Sequence, residues 1–570
     1  MKLMASKTRL GIASVSATLV GLIGACGGNS NPALTLTTAA TNVTCAQLAN
    51  LQIPATSIGL PTTGAVITAT KTVAANGTGT DAVGEYCLAS GKIMPVDPTA
   101  PNIQFQLAMP TTWNAKIVMR GGGGWDGEIK DVSANVLNAA GLSPLARGYA
   151  VFGSDGGHQS APGGLDASFA ANPEALKNWV GDALKKTRDA ALFAIKATYG
   201  SAPTKSYFIG SSTGGREALT AAGRWPLDWD GVISLYPGRD ATGTLLGLLA
   251  QTRALTPPGA WLSSAKRGVL YSAAVAACDG LDGVSDGIIS NVQACNLTFN
   301  PSTALLNGVP VRCPGGADTG DTCLSDAQIT AVNKINSPVP YNFSLANGET
   351  SFPGYNVLIA DNGIASTSPL QPTLSLLGFG IVPPAFPVTG TMLFHLQYAD
   401  SFVRFALAKN ASFNTLTIDP SNPGALAGAF SDFSALDNSD RNLTPFAARN
   451  GKLLIMHGTA DTLASVRRTE VYVQQLKATM GTDKVDSFLR FYEVPGFGHS
   501  VSAQFNASWD QLTALENWVE KSADPATNQT VADTTGIPGR TRPLCLYPTF
   551  PRYKGSGDVN SAASFICAAS

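Results

Sequence analysis

Six short apolar runs punctuate the chain, and nearly all of them end in glycine or polar residues. Lys116-Ile117-Val118-Met119 leads into Gly121-Gly122-Gly123-Gly124, and Tyr149-Ala150-Val151-Phe152 leads into Ser154-Asp155-Gly156-Gly157-His158. Ser206-Tyr207-Phe208-Ile209 leads into Gly210-Ser211-Ser212-Thr213-Gly214, and Gly231-Val232-Ile233-Ser234-Leu235 follows. Much later, Leu453-Leu454-Ile455-Met456 leads into His457-Gly458-Thr459-Ala460-Asp461, and Phe488-Leu489-Arg490-Phe491-Tyr492 leads into Pro495-Gly496-Phe497-Gly498-His499. Runs this short, closed by turn residues, predict strands. Between them lie helical repeats: one over 174–198 with Leu176, Val180, Leu184, Ala191 and Ile195 on one face, another over 466–480. Alternating strands and helices predict an α/β fold with a parallel sheet covered on both faces. Ligands of such sheets sit at the carboxyl ends of the strands, where these polar loops fall. From about 239 to 442 the rhythm breaks into sequence rich in Pro, Gly, Ser and Asn with four Cys. The expected organisation is a core over 45–238 and 443–570 with a lid of 239–442 inserted between its parts.

Composition narrows the function classes. The 570 residues carry 38 Lys+Arg against 39 Asp+Glu, a net charge of -1. That balance excludes a general electrostatic attraction to nucleic acid or anionic membrane. The apolar share of 44% and charged share of 14% point to a folded chain. Lys2, Lys7 and Arg9 precede an apolar stretch broken by small residues, which predicts a secretory signal over 1–25. Leu22-Ile23-Gly24-Ala25-Cys26 resembles a bacterial lipobox, which makes Cys26 the lipid-bearing residue and the only link to a membrane. Residues 26–44, rich in Gly, Asn, Ser and Thr, then form a tether. The expected location is the bacterial cell envelope, facing the outer membrane or periplasm, or outside the cell. Without Cys26 eight of the nine Cys remain, and export allows disulfides. Chain neighbours suggest Cys45–Cys87, Cys278–Cys295, Cys313–Cys323 and Cys545–Cys567.

Gly210-Ser211-Ser212-Thr213-Gly214 fits G-x-S-x-G between a strand and a helix, which makes Ser212 the candidate nucleophile, with Ser211 as runner-up. A Ser hydroxyl needs a base to take its proton. Of His158, His395, His457 and His499, only His499 follows the last strand run, as the order Ser, acid, His requires. His395 falls in the lid, His457 reads as a packed loop residue, and His158 precedes Ser212 but can still line a pocket. Asp461 is the candidate acid, which would orient the imidazole. The rival Asp155 precedes Ser212. The expected oxyanion donors are the Thr213 N–H and an N–H of the Gly121–Gly124 run, first Gly124 and then Gly123. In the lid, Cys278-Asp279-Gly280-Leu281-Asp282-Gly283-Val284-Ser285-Asp286-Gly287-Ile288 places three carboxylates within eight residues. Hard Ca²⁺ takes such oxygens. The candidate ligands are the side chains of Asp279, Asp282 and Asp286 and the carbonyls of Val284 and Ile288, in a structural role.

These motifs resemble the tannase/feruloyl esterase family of α/β-hydrolases, which also contains mono(2-hydroxyethyl) terephthalate hydrolases. Besides the elbow, the lid loop and the two late loops, Asp228-Trp229-Asp230-Gly231, Arg540-Thr541-Arg542-Pro543-Leu544-Cys545 and Tyr553-Lys554-Gly555-Ser556-Gly557 carry the resemblance. It implies ester hydrolysis through Ser212, Asp461 and His499, with structural calcium in the lid. The family pattern has Cys before the Ser and after the His, joined as a disulfide. Here both are Ser, Ser211 and Ser500, so a looser His499 loop is expected. Aromatic esters of feruloyl or galloyl type are the first expected substrates, and terephthalate monoesters the alternative. Arg404 is the candidate partner for a substrate carboxylate. Phe394, Phe402 and Phe405 are candidates for an aromatic pocket, though such a spacing also suits lid core. A peptidase or lipase with the same triad, and a ligand-binding lipoprotein without activity, are the readings from other classes.

Overall fold

The computed structural model describes residues 42–79, 82–161, 164–356, 378–437, 442–502, 504–526, 529–534 and 537–570, all within one compact unit, Thr41–Ser570. The expected signal over 1–25, the lipid site Cys26 and nearly all of the tether lie outside the described residues.

The organising element is an eleven-stranded sheet: β1 (Gln52–Ile53), β2 (Gly64–Val73), β3 (Tyr86–Met94), β4 (Ile103–Pro110), β5 (Lys116–Arg120), β6 (Ala150–Ser154), β7 (Lys205–Ser211), β8 (Gly231–Leu235), β9 (Lys452–Gly458), β10 (Leu489–Val494) and β11 (Cys545–Leu546). The spatial order is β1-β2-β3-β4-β6-β5-β7-β8-β9-β10-β11. The six strands from β6 to β10 run parallel, and these are the six apolar runs of the sequence. Each is buried on both faces. Ile117 and Met119 of β5 face one apolar cluster with Phe208, Val232, Ile455 and Leu476. Val118 faces the other with Ile209, Ile233, Leu454 and Leu515. Strands buried on both sides read as continuous apolar runs.

The sheet is mixed rather than purely parallel, because β1 to β4 are antiparallel and β11 returns antiparallel to β10. In β3, buried and partly exposed residues alternate along Tyr86–Met94. That alternation suits a strand with one wetter face, and its polar positions hide it from a search for continuous runs.

The helical repeat over 174–198 is broken. A short helix, Pro173–Lys177, starts on Asn172, whose Oδ1 accepts from Glu174 N and Ala175 N at 2.9 and 3.0 Å. A π turn, Asn178–Asp182, then precedes α1 (Ala183–Tyr199). The buried Arg216 guanidinium donates to Trp179 O and Val180 O at 3.0 and 2.9 Å, carbonyls within that turn. A one-residue bulge leaves the apolar stripe almost intact, so the pattern does not reveal it. Helix α2 (Thr213–Arg224) follows β7 directly.

Over 239–437 a third apolar cluster forms. Leu245, Leu246 and Leu249 of α3 (Ala241–Leu255) pack with Leu270, Val332 and Phe433, and with Phe402 of α4 (Phe394–Phe402). Trp125 and Trp179, which precede this stretch in the chain, join the same cluster and seat it over the strand ends. Four disulfides are formed: Cys45–Cys87, Cys278–Cys295, Cys313–Cys323 and Cys545–Cys567. They fit an oxidising compartment. No helix among the described residues is long and apolar enough to cross a membrane.

Candidate active site

Ser212 stands on the turn from β7 into α2 with φ 59° and ψ −120°. A residue with a Cβ rarely adopts that conformation, so the turn must be held from both sides. Ser212 N donates to Leu235 O at 3.0 Å, and Ser212 O accepts from Gly238 N at 3.1 Å. The two flanking glycines are needed for space. A Cβ on Gly210 would meet Gly214 O at 2.0 Å, and one on Gly214 would meet Gly122 O at 2.9 Å.

Three loops bring the sequence candidates together. His499 Nε2 lies 2.8 Å from Ser212 Oγ, and His499 Nδ1 lies 2.7 Å from Asp461 Oδ2. Asp461 is buried, and its Oδ1 accepts from Leu463 N and Ala464 N at 2.8 and 2.9 Å. Burial alone would raise its pKa. The adjoining His499 and the bonds from His457 and His499 outweigh that and hold it well below the usual carboxylate range.

His457 is closer to this chemistry than its reading as a packed loop residue implied. It is fully buried at the end of β9, with Nε2 2.9 Å from Ala464 O and 3.2 Å from Asp461 Oδ2. Its Nδ1 lies 2.9 Å from Thr469 Oγ1. Two acceptors face Nε2, so the chemistry places the proton there and lets Nδ1 accept from the Thr469 hydroxyl. The four-residue spacing His457-x-x-x-Asp461 was the one available signal.

The glycine run crosses in front of α2. Gly122 N donates to Glu217 Oε2 at 2.9 Å and Trp125 N to Gly164 O at 2.8 Å. The Gly123 and Gly124 N–H groups have no acceptor among the described residues. The Gly124 carbonyl is clamped, accepting from Thr213 Oγ1 at 2.6 Å and from the Tyr398 hydroxyl of α4 at 3.1 Å. Beneath the run, burial and then repulsion by Glu217 push Asp126 well above the ordinary carboxyl range, with Arg216 offsetting part of it. Glu217 is raised by burial as well.

A cavity of about 350 Å³ opens over Ser212, walled by Trp125, Trp179, Leu248, Phe394 and Tyr398, with Glu128 and Lys130 also on its lining. The aromatic wall is layered: Trp125 stacks on Tyr398 at 4.1 Å and on Phe402 at 4.5 Å. Of the three candidate phenylalanines, Phe394 lines the cavity and Phe402 lies fully buried behind Trp125, while Phe405 is not on the wall. Arg404 is not on the wall either, since it donates to Asp400 Oδ2 at 3.0 Å and to Ala411 O at 2.6 Å. His158 is buried against Phe169 at 3.6 Å, outside the cavity, and burial pushes its pKa down to about 4. Burial likewise pushes His395 of α4 down to about 3. Asp155 is buried, and accepts from Gln104 N at 3.1 Å and Gly157 N at 2.9 Å.

In the acidic loop over 278–288, Asp279 accepts from Gly287 N at 3.0 Å, Asp282 from Val284 N at 3.1 Å and Asp286 from Ile288 N at 3.0 Å. Arg542 pairs with Asp286. Among the described residues, no three His, Cys, Asp or Glu side chains converge as a ready-made metal group. The donor chemistry nevertheless fits a hard cation. Burial and repulsion by Asp286 and Asp279 push Asp282 up to about 6, and burial and Asp286 raise Asp279, a strain that a divalent ion would relieve.

The sequence matches the family model described as tannase and feruloyl esterase over residues 87–568. An uncharacterized esterase of Agrobacterium fabrum is 37% identical over 537 residues, covering 92% of this chain and 93% of the relative. The mono(2-hydroxyethyl) terephthalate hydrolase of Piscinibacter sakaiensis is 32% identical over 536 residues, covering 86% and 85%. Among solved structures, feruloyl esterase B from Aspergillus oryzae matches with a TM-score of 0.70 at 21% identity, covering 89% of this chain and 98% of that one. Tannin acyl hydrolase from Aspergillus niger matches with a TM-score of 0.67 at 18% identity, covering 93% and 97%. The last two likenesses concern the fold alone.

Proposed function

The chain belongs to the tannase and feruloyl esterase family, is a carboxylic-ester hydrolase of α/β-hydrolase fold, and on that premise we propose that it cleaves aromatic esters through a Ser212–His499–Asp461 triad. The observation that carries this reading is the hydrogen-bonded chain across the three loops, 2.8 Å from Ser212 to His499 and 2.7 Å from His499 to Asp461. In it, Ser212 Oγ attacks the ester carbonyl as its proton passes to His499 Nε2. Asp461 fixes the tautomer with Nε2 free and stabilises the imidazolium. The oxyanion takes hydrogen bonds from the Thr213 N–H and the Gly124 N–H, each donor contributing about 10²–10³-fold. Collapse returns the proton to the departing alcohol and leaves an acyl-enzyme on Ser212. Water, activated by His499, then releases the acid.

The stacked wall of Trp125, Tyr398 and Phe394 supports an aromatic acyl group. A relative described as a probable feruloyl esterase, 30% identical over 486 residues, supports the same class. Terephthalate monoesters are the second reading, favoured by the Piscinibacter relative. Because Arg404 is engaged by Asp400, and Arg216 on the cavity lining by the Trp179 and Val180 carbonyls, Lys130 on the same lining is the cation offered to their carboxylate. The test is turnover on matched feruloyl, galloyl and terephthalate esters, an anilide and a long-chain ester, for the parent and Ser212→Ala. Loss of all aryl-ester turnover in the variant is expected, and turnover that persists removes the mechanism. Asp461 is held below the usual carboxylate range, so it stays ionised through the neutral range and contributes no limb to the kcat/KM profile there.

Two further assignments belong to this reading. Asp279, Asp282 and Asp286, with the carbonyls of Val284 and Ile288, hold a structural Ca²⁺ that takes no part in the chemistry. The chain is exported and carries lipid on Cys26; release of Cys26→Ala from the membrane fraction is expected, and equal retention refutes it.

A further inference from the structure

His499 reaches Ser212 on a loop whose backbone bends against preference. Ser500 has φ 67°, in the left-handed region that residues with a Cβ avoid, so the bend needs support from outside. Asn138 supplies it. Its Nδ2 donates to Ser500 O at 3.1 Å and to Ala507 O at 3.1 Å, and its Oδ1 accepts from the Tyr236 hydroxyl at 2.8 Å. The two carbonyls can only accept, so the chemistry sets the orientation of the amide. Asn138 also adopts a positive φ, 58°, which Asn tolerates better than most residues.

Both ends of this bracket are grounded. Asn138 O accepts from Trp509 N at 3.2 Å, Ala140 N donates to Trp509 O at 3.0 Å, and Gln511 Nε2 donates to Leu137 O at 3.3 Å. Trp509 packs edge-on against Tyr492 of β10 at 5.6 Å. Tyr236, fully buried just past β8, donates its N–H to Met456 O at 2.7 Å and sets its ring edge-on to His499 at 4.9 Å. The Ser211 side chain lies beside the Tyr236 hydroxyl. Ser211 and Ser500, which flank the nucleophile and the base, are thus bridged through Tyr236 and Asn138 without a covalent bond.

We propose that Asn138 is a positioning residue for the base: through Ser500 it fixes where His499 stands relative to Ser212. The proposal rests on the reading of His499 as base. Rates of this kind fall steeply when a reacting group moves by about an ångström, whereas binding in the cavity does not involve Asn138.

The experiment measures kcat and KM on an activated aryl ester for Asn138→Ala, Tyr236→Phe, Asn135→Ala and Ser212→Ala. Each kcat is expressed per competent site, counted by end-point labelling with an aryl phosphonate; Ser212→Ala, which cannot label, is expressed per mole of protein. Asn138→Ala should lose about 10–100-fold in kcat per site with KM within about 3-fold. Tyr236→Phe, which removes one oxygen, should lose less and reads the same bridge if Asn138→Ala does not fold. The Asn135 side chain bonds within its own loop, to Gly141 O and Val136 N, while its carbonyl, which accepts from Arg120, survives the substitution, so Asn135→Ala should leave kcat per site unchanged. An Asn138→Ala enzyme within about 2-fold of the parent per site overturns the role, because lost folding alone lowers the site count and not the rate per site. Turnover surviving in Ser212→Ala brings down the triad instead, and this role with it.

Discussion

The two halves of the site meet at the 2.8 Å hydrogen bond between His499 and Ser212 but lean on different means. The nucleophile half is fixed by close backbone approach: β7, α2 and the glycine run pass so near one another that Gly121, Gly210 and Gly214 leave no room for a Cβ. The base half has one such approach, where a Cβ on Gly458 would meet Phe497 O at 2.0 Å, but its acid and base are placed by polar groups. Asp461 receives two N–H bonds and faces His457, and Asn138 spans from Tyr236 to Ser500. Steric fixation is close to all-or-none, since packed backbones have nowhere to retreat. Polar fixation is graded, since each bond can be removed singly. Substitutions that break a backbone approach and those that remove a polar bond should therefore differ in kind.

The largest effect belongs to the steric side. In Gly214→Ala the new Cβ would meet Gly122 O at 2.9 Å and Gly121 C at 3.0 Å, both backbone atoms. The glycine run must move away, and the oxyanion donors move with it. A loss of at least about 10³-fold in kcat is expected, with a stability loss of about 1–3 kcal/mol from overpacking, read by steady-state kinetics and by denaturant unfolding. A Gly214→Ala enzyme with more than a tenth of parental kcat would show that the backbones can yield after all.

A smaller loss is expected from His457→Gln on the polar side. The substitution removes the imidazole beside Asp461 Oδ2 and leaves the two backbone donors to Oδ1 in place. Hydrogen bonds to charged groups contribute about 1.5–3 kcal/mol, so kcat should fall about 10–100-fold, with KM nearly constant because His457 does not line the cavity. An equal rise in KM would mean that the substitution disturbs the pocket and not the acid.

How far the sequence carried the fold depended on where each contact lies along the chain. The six central strands were legible because burial on both faces forces continuous apolar runs. The antiparallel β2 to β4 were passed over because their partly exposed residues interrupt such runs. Ser212, Asp461 and His499 were legible because each lies in the turn or loop that follows a strand, in the order that this chemistry requires. Asn138 was not, since it bonds Ser500 across 362 residues, and nothing local in an Asn announces that. The Tyr398 hydroxyl bonds Gly124 across 274 residues for the same reason unseen. Phe402 shows the converse: its spacing with Phe394 suggests one aromatic surface, yet Trp125 stands between it and the cavity.

The acidic loop over 278–288 sharpens the comparison with a smaller effect. Ile288, at the end of that loop, packs in the same apolar cluster as Phe497 and Phe505, and its Cγ2 lies 3.3 Å from where a Cβ on Gly496 would stand. The loop thus underpins the strand end that carries His499 and makes no such approach to the glycine run or the elbow. If calcium holds it, removing the ion relaxes the support of the polar half alone. Chelation should lower the melting temperature by about 1 °C for each kcal/mol of stabilisation lost, the scale set by the unfolding entropy of a chain of this size, and excess Ca²⁺ should restore it. Amide exchange should quicken over 495–502, where opening is local, while 120–125 and 210–215 keep their protection. Equal quickening in all three segments would show that the two halves share one support, and that the contrast between them ends at their side chains.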